Sequence, residues 1–433
     1  MTPAVSAKAR WMALIAAFTG WLLDGFELGL YPLVAKKAVD ELTGSPGDFT
    51  FWNSIITAAF LVGAALGGWL FGWIGDRIGR VRAMLLTVLV FSVFSALCAA
   101  ATEAWHLIVY RFIAALGMGG EWALGVALVM EAWPSTARPL IAGLIGAAAN
   151  IGFLITAVIG YYLATFVGEV GQALGTVLPE TWVATLTANG GWRLMFCLGL
   201  LPAVVGVVIR IFVPESEAWK HESARGQPVR AVDIFAAGLR RRVFIGAALA
   251  GVALVGTWAS VQQLPSIAAG LSKGTPDEPT ARQLTGICQA AGATLGSFLA
   301  PLLAHLLTRR LAYGLLCALS MLVCSILFFG VGGYGGEFLR MTALAGAVTA
   351  SFYGWLPLYL PELFPTRLRA TAQGFAYNAG RMVSAVAILS GGAITAAFGG
   401  DVLTMAGVLS FVYVLGLVMI LFAPETKGRP LPE

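Results

Sequence analysis

Twelve apolar segments, most of them 20 to 28 residues long, divide this chain of 433 residues, and a helix of that length crosses roughly 30 Å of hydrocarbon. Their approximate limits are 10–35, 52–75, 82–101, 105–130, 138–166, 191–213, 243–268, 282–308, 311–332, 338–361, 370–397 and 401–423. Lipid offers backbone N–H and C=O groups no partner but one another, so such segments fold as helices. Only 11% of the residues are charged, against about 25% in a soluble globular chain. The expected fold is an all-α polytopic membrane protein. Trp11 to Leu33 is too long for a cleavable signal and carries two acids, so it is expected to stay as the first helix.

Of the 27 Lys and Arg residues, about 19 fall on the side that holds the N-terminus, in loops 2–3, 4–5, 6–7, 8–9 and 10–11 and the C-terminus. The positive-inside rule then places both termini in the cytoplasm, with the chain in the cytoplasmic (plasma) membrane. That bias, with Arg240-Arg241-Arg242 opening the seventh segment, accounts for the net charge of +5, so no nucleic-acid partner is expected. The five cysteines all lie in apolar spans without a CxxC pair and read as packing residues rather than metal ligands or disulfides. HExxH, nucleophile-elbow and phosphate-loop motifs do not occur, so neither an enzyme nor a bound cofactor or metal is expected.

The chain repeats itself. Glu131-Ala-Trp-Pro134-Ser-Thr-Ala-Arg138 and Glu362-Leu-Phe-Pro365-Thr-Arg-Leu-Arg369 share Glu, Pro and Arg in register, and each follows an apolar segment with one arginine about 20 residues upstream, Arg111 or Arg340. Both halves end alike, in Pro214-Glu215-Ser216 and Pro424-Glu425-Thr426. The most polar stretch lies between them. The expected organisation is a six-helix bundle over 1–213, a cytoplasmic linker over 214–242 and a second bundle over 243–433, pseudo-symmetric and facing across a cavity as transporter halves do. Residues 167–190, with Glu169 and Glu180 as their only charges, are expected as a solvated external loop, an amphipathic cover being the other reading.

Charges inside the membrane mark the mechanism, because an ionised side chain at mid-bilayer costs roughly 2.5 to 3.5 kcal/mol by insertion scales. Asp24 and Glu27 lie three residues apart on one helical face, roughly 21 and 25 Å above Arg10. Arg111, on the antiparallel fourth segment, reaches a similar depth and is their natural counter-charge. Protonation of either acid would release the arginine, a proton switch; a static ion pair is the plainer reading. Glu121 reads as a second proton site or as a hydrogen-bond partner on the cytoplasmic side. Arg381, near the midplane of the eleventh segment, has a fork that fits a carboxylate and no route to neutrality. It is expected to receive an anion, with Asn378 and Tyr377 adding hydrogen bonds; a structural pair with Glu121 is the alternative. Trp258, Gln262 and Gln263 in the seventh segment are expected to face the cavity, with Gln289 and Tyr353 as weaker lining candidates.

The second loop, Gly72-Trp-Ile-Gly75-Asp76-Arg77-Ile-Gly79-Arg80-Val-Arg82, resembles the signature of the major facilitator superfamily, and with the twelve segments and the duplicated motif the resemblance covers the whole chain. It implies that Asp76, Arg77 and Arg80 lock the two halves at the cytoplasmic side in the outward-open state. Glu131 with Arg138, and Glu362 with Arg369, would belong to the same charge network. The matching loop of the second half, Ala304-His305-Leu-Leu-Thr308-Arg309-Arg310, lacks the acid, which implies asymmetric gating.

Asp-Gly-Phe-Glu (24–27), Gly-Gly-Glu (119–121), Tyr-x-Pro-Glu-Leu-Phe-Pro-Thr (359–366) and Asn-x-x-Arg (378–381) resemble the proton symporters for sialate, lactate and aromatic acids, although Glu27 stands where those groups usually have aspartate. Sugar porters resemble the chain in the acid matching Glu27, the arginine matching Arg111, the glutamine pair and the C-terminal Pro424–Arg429 motif. They do not normally carry an arginine matching Arg381, and the Ser/Thr-Gly-x-Asn that usually follows their glutamines is replaced by Pro265-Ser266-Ile267-Ala268. The implied function is proton-coupled import of a small organic anion (monocarboxylate, sialate or aromatic acid) by alternating access, by a monomer. The alternative is a sugar or polyol:proton symporter.

Overall fold

The computed structural model describes residues 6–226 and 229–432; residues 1–5 of the expected first bundle, 227 and 228 of the expected linker, and 433 lie outside the described residues. Those described form helices and connections, with no strand among them. The first crossings are α1 (Ala7–Thr43), α2 (Phe49–Ile78), α3 (Arg80–Leu97), α4 (Ala104–Ala132) and α5 (Arg138–Tyr161). After a short α6 (Leu163–Leu174), α7 (Glu180–Cys197) and α8 (Leu201–Phe212) make the sixth. A two-turn α9 (Glu217–Ser223) sits in the connection between bundles. Then α10 (Arg240–Ala259) with α11 (Leu264–Leu271), α12 (Ala281–Leu306), α13 (Arg309–Gly330) and α14 (Gly336–Leu363) follow. The last two crossings are α15 (Arg369–Leu389) with α16 (Gly391–Ala397), and α17 (Val402–Leu409) with α18 (Val412–Met419).

Eleven of these crossings are long and apolar enough to qualify by composition alone. The exception is α15, whose Gln373, Asn378 and Arg381 lower its apolarity yet are all buried. Protein surrounds the first half of that helix, while Met382, Val383, Val386 and Leu389 further along it face outward. Large apolar side chains such as Leu295, Leu299, Leu322, Phe329, Leu415 and Leu421 point outward, which in a bilayer is the solvated surface.

Local chemistry sets the ends and breaks. Ser6 caps α1, its hydroxyl accepting from Ala9 N–H at 3.2 Å. The helix runs to Thr43, beyond the expected limit of 35, and stops where Gly44 turns left-handed at φ 65° and its N–H returns to Asp40 O. The seventh crossing breaks at Ser260 (φ −121°, ψ −71°), because Pro265 has no N–H to continue the ladder and its ring excludes the carbonyl one turn earlier. Gln262 and Gln263 fall in that break.

Residues 167–190 are not the solvated loop expected. Leu163, Phe166, Val167, Val170 and Leu174 recur at helical spacing in α6, which packs on the start of α7. Ala188 to Gly191 then leave helical geometry, with φ of 48°, 73° and 70° at Asn189, Gly190 and Gly191. This bend lets Asn189 Nδ2 (2.5 Å), Trp192 Nε1 (2.7 Å) and the Arg193 guanidinium converge on Glu41 at the end of α1. The periodicity was present in the sequence but weakened by Gly168, Glu169 and Gly171.

The two bundles meet along α2 against α15 and α5 against α12. At the second seam Asn150 Nδ2 donates to Ser297 Oγ at 2.9 Å. Both chain ends reach one face: Trp133 Nε1 donates to Arg10 O at 3.2 Å, and Arg369 Nη2 donates to Pro432 O at 2.8 Å. The connection between bundles lies against this terminal face, where Trp69, Trp73 and Trp219 donate to Ala231 O, Val229 O and Asp76 O at 3.2, 3.0 and 2.8 Å.

Candidate functional site

The terminal face is closed by a buried charge network built mainly from the repeated motifs. Glycine at 72 lets α2 approach α15 so closely that a Cβ there would stand 2.5 Å from Ala370 O. That approach carries Asp76 to the start of α15, where its Oδ2 accepts from Thr371 N–H (2.8 Å) and Oγ1 (2.5 Å), and its Oδ1 from Ala370 N–H (3.2 Å). An acid of one bundle thus caps a helix of the other, satisfying its orphan N–H groups and its positive dipole end. Arg80 supports it, donating to Asp76 Oδ1 at 2.6 Å and reaching Glu131 Oε1 at 3.2 Å and Thr366 O at 2.8 Å. Arg369 crosses between bundles to Glu131 Oε1 at 2.8 Å.

The acid and the arginine of each repeated motif do not pair with one another. Arg138 does not bind Glu131; its Nε donates to Met130 O at 3.1 Å, and among charges it faces Glu362 and Arg369. Glu362 does not bind Arg369; it is held by Arg309 Nε and Nη2 at 3.0 and 2.9 Å and by Thr426 Oγ1 at 2.5 Å. Arg77 stays exposed with its guanidinium 5.5 Å over the Trp73 ring. The reason is the crossing of the bundles. Arg369 points across the seam to Glu131, which Arg80 also holds, and this leaves Glu362 to Arg309 of the eighth loop.

The Pro-Glu-Ser/Thr ends also join the network, a role not read from sequence although their repetition was visible. Glu215 accepts from Arg80 and Val81 N–H at 2.8 and 3.1 Å, while Ser216 donates to Glu131. Glu425 accepts from Arg309 and Arg310 N–H, both at 3.1 Å. Partial burial pushes the Glu425 carboxyl up, but backbone N–H groups of Lys427, Arg310 and Arg309 outweigh it and hold it below the ordinary carboxylate range. One cap without a counterpart remains, since His305 stands where Asp76 would be in the second half.

Toward the middle, α1, α4, α14 and α15 bring two charge groups together. Glu27 Oε1 accepts from Arg111 Nη1 at 2.8 Å and from Ser95 Oγ. The guanidinium lies 4.6 Å over both the Tyr31 and Phe60 rings. Arg340, the repeat partner of Arg111, is exposed on α14 instead.

The second group is Asp24, Glu121 and Arg381, all buried. Among the described residues neither carboxylate oxygen of Asp24 or Glu121 has a hydrogen-bond partner, nor do Arg381 Nε and Nη1. Arg381 makes no ion pair within 4 Å among the described residues, so it is not the structural partner of Glu121. Its charge faces Asp24 and Tyr353, and it lies 5.8 Å over the Tyr377 ring. Tyr377 stacks on Trp122 with centroids 3.8 Å apart and planes at 14°, and Trp21 stands 6.3 Å from each. Trp21 and Trp122 were not singled out from sequence, although each adjoins a motif that was.

Other expected lining residues are placed differently. Asn378 Nδ2 donates to Gly119 O (3.0 Å) and Gly374 O (2.9 Å), fastening α15 to α4 rather than extending toward a ligand. Gln263 Nε2 donates to Trp258 O at 3.4 Å. Gln289 is buried on α12; among the described residues no hydrogen bond joins it, Gln262 or Gln263 to Arg381. Tyr353 faces Thr257, Trp258 and Arg381.

The model of the family described as the Major Facilitator Superfamily matches residues 11–388. A Haemophilus influenzae protein bearing a metabolite-transport name is 30% identical over 97% of this chain and 98% of its own length. A cis,cis-muconate transport protein of Acinetobacter baylyi is 28% identical over 97% of this chain and 95% of the relative. Among solved structures, a proton:xylose symporter bound to 6-bromo-6-deoxy-D-glucose superposes with a TM-score of 0.75 at 20% identity, covering 98% of each chain. That likeness concerns the fold.

Proposed function

The chain belongs to the major facilitator superfamily, and on that premise we propose that this multi-pass membrane transporter imports a small organic anion together with protons by alternating access. The observation that carries the reading is Arg381, a buried guanidinium in the middle of α15 with unpartnered donors. A charge kept there at such cost has a use, and its fork suits a carboxylate. The relative named for cis,cis-muconate, an acid anion, supports the same substrate class.

In this reading the chain works as a monomer in the cytoplasmic membrane with its termini inside, as the distribution of Lys and Arg supports. A proton from outside neutralises an acid of the set Asp24, Glu27 and Glu121, with Arg111 as a counter-charge. The substrate carboxylate docks on Arg381. The bundles, 1–213 and 243–433, rock about the 214–242 linker, and release follows when the contacts of Asp76 and Glu131 to α15 and of Arg80 to Thr366 O break.

The test is uptake by purified protein in liposomes under an inward proton gradient, with labelled monocarboxylates, sialate, aromatic acids and neutral sugars. Acid uptake is expected to collapse without the gradient. Arg381→Ala should weaken it on the order of a hundredfold, the loss of about 3 kcal/mol from a charge-assisted contact. Gln263→Ala should cost far less. Uptake of a neutral sugar that survives Arg381→Ala but not Gln263→Ala would establish the sugar or polyol reading instead.

A further inference from the structure

The two buried charge groups differ in how complete they are. Glu27 has its counter-ion at 2.8 Å and a second donor in Ser95. Protonating it would strand Arg111 between Tyr31 and Phe60 without an anion, which costs roughly 3–5 kcal/mol for a buried pair broken on one side. Asp24, Glu121 and Arg381 have no such closure.

Their placement follows from three helix faces. Gly20 and Asp24 are one turn apart on α1, and a Cβ at Gly20 would stand 2.1 Å from Glu121 Oε1. Both carboxyl groups therefore sit on one side of α1, in the first bundle. Tyr377 and Arg381 are one turn apart on α15, in the second bundle, and the Tyr377 ring lies against Trp122, the neighbour of Glu121. The other ionisable groups facing the trio are Glu27 with Arg111, Tyr377 and Tyr353. The charges of α2, α3 and α5 (Asp76, Arg77, Arg80, Arg82, Arg138) all lie at the terminal face, and Arg193 of α7 lies at the opposite end.

Charge balance then decides. With both acids ionised the trio carries −1, with one proton it is neutral, and a water-excluded cluster settles near neutrality because net charge there is costly. A substrate carboxylate arriving at Arg381 returns the sum to −1, and one further proton restores zero. We propose that Asp24 and Glu121 hold one resident proton between them and take up a second when the substrate carboxylate binds Arg381 as its counter-ion. This pair, rather than Glu27, carries the transported proton. The inference rests on the organic-anion reading of Arg381. The proton comes from water on the outer side onto a carboxylate oxygen and leaves to water inside after the anion departs, one per carboxylate moved.

Either acid alone can perform this exchange, which sets the test. Proton uptake on binding is measured in weakly buffered detergent solution, using the labelled panel acid that the wild-type protein takes up most strongly. Wild type, Asp24→Asn and Glu121→Gln should each take up about one proton per acid bound, the linkage expected of one titrating site. The double variant Asp24→Asn/Glu121→Gln should bind the acid with no proton uptake and no pH dependence, because Arg381 then waits without a competitor. Size-exclusion elution of the double variant and its retained acid binding report that it is folded. Loss of proton uptake on Glu27→Gln alone, or a full proton still taken up by the double variant, overturns the assignment. Acid binding that persists in Arg381→Ala, or no panel acid bound by wild type, would instead remove the reading beneath it, and the inference with it.

Discussion

Arg369→Ala opens the terminal face: alkylation of a single cysteine placed at Ala370, in a background without the native cysteines, should accelerate on the order of a hundredfold. Arg369 is fully buried and donates both to Glu131 across the seam and to Pro432 O. Its loss leaves Glu131 still held by Arg80 and Ser216, so the low end of the range for breaking a buried pair applies, about 3 kcal/mol. In a state with this face open the arginine would be hydrated and its removal nearly neutral. The difference falls on the equilibrium between the two states, and each 1.4 kcal/mol is a factor of about ten. Unchanged labelling would mean that the bundles are held together here by the Asp76 cap of α15 and the Arg80 contact to Thr366, with Arg369 a bystander.

The second large effect separates packing within a bundle from packing between bundles. A Cβ at Gly67 would stand 2.0 Å from the backbone carbonyl oxygen of Leu116 on α4, and backbone cannot swing away as a side-chain tip can. Gly67→Val should therefore destroy the α2 to α4 crossing in every conformation of the transport cycle, at a cost above the usual 1–3 kcal/mol of overpacking. Loss of the monodisperse elution peak and a strongly lowered melting temperature in detergent are the expected readings. Gly72→Val meets Ala370 O across the seam instead, where the bundles are free to part. It should fold with near-normal thermal stability and show fast labelling at Ala370→Cys. Equal loss of stability in the two variants would show that the bundles do not separate at this seam.

Much of the architecture was legible because it depends on one-dimensional properties of the chain. Segment length against bilayer thickness marks the crossings, and the duplicated Glu-x-x-Pro-x-x-x-Arg marks the two halves. The clearest failures share a cause. Arg369 and Glu362 lie in one motif, yet the arginine serves the other bundle and the acid goes to Arg309. Asn378 lies one turn from Arg381 but is spent on Gly119 O and Gly374 O. Trp21 and Trp122 were not singled out because nothing in their own neighbourhood shows that Tyr377, far along the chain, completes the group. The helix at Leu163–Leu174 was hidden by two glycines and an acid that its packing on α7 tolerates.

Residence in the membrane, the number of crossings, the duplicated plan and the identity of the buried charges were determined by the sequence itself, since each follows from local composition or spacing. Which charge answers which was decided only in three dimensions. Helical periodicity assigns a residue to a face, but the neighbour that face meets depends on where small residues let two helices cross, as Gly72 does at Ala370 and Gly20 at Glu121. Those crossings satisfy Glu27 with Arg111 and Glu131 with Arg369, and among the described residues they leave the carboxylates of Asp24 and Glu121 and Nε and Nη1 of Arg381 buried without hydrogen-bond partners.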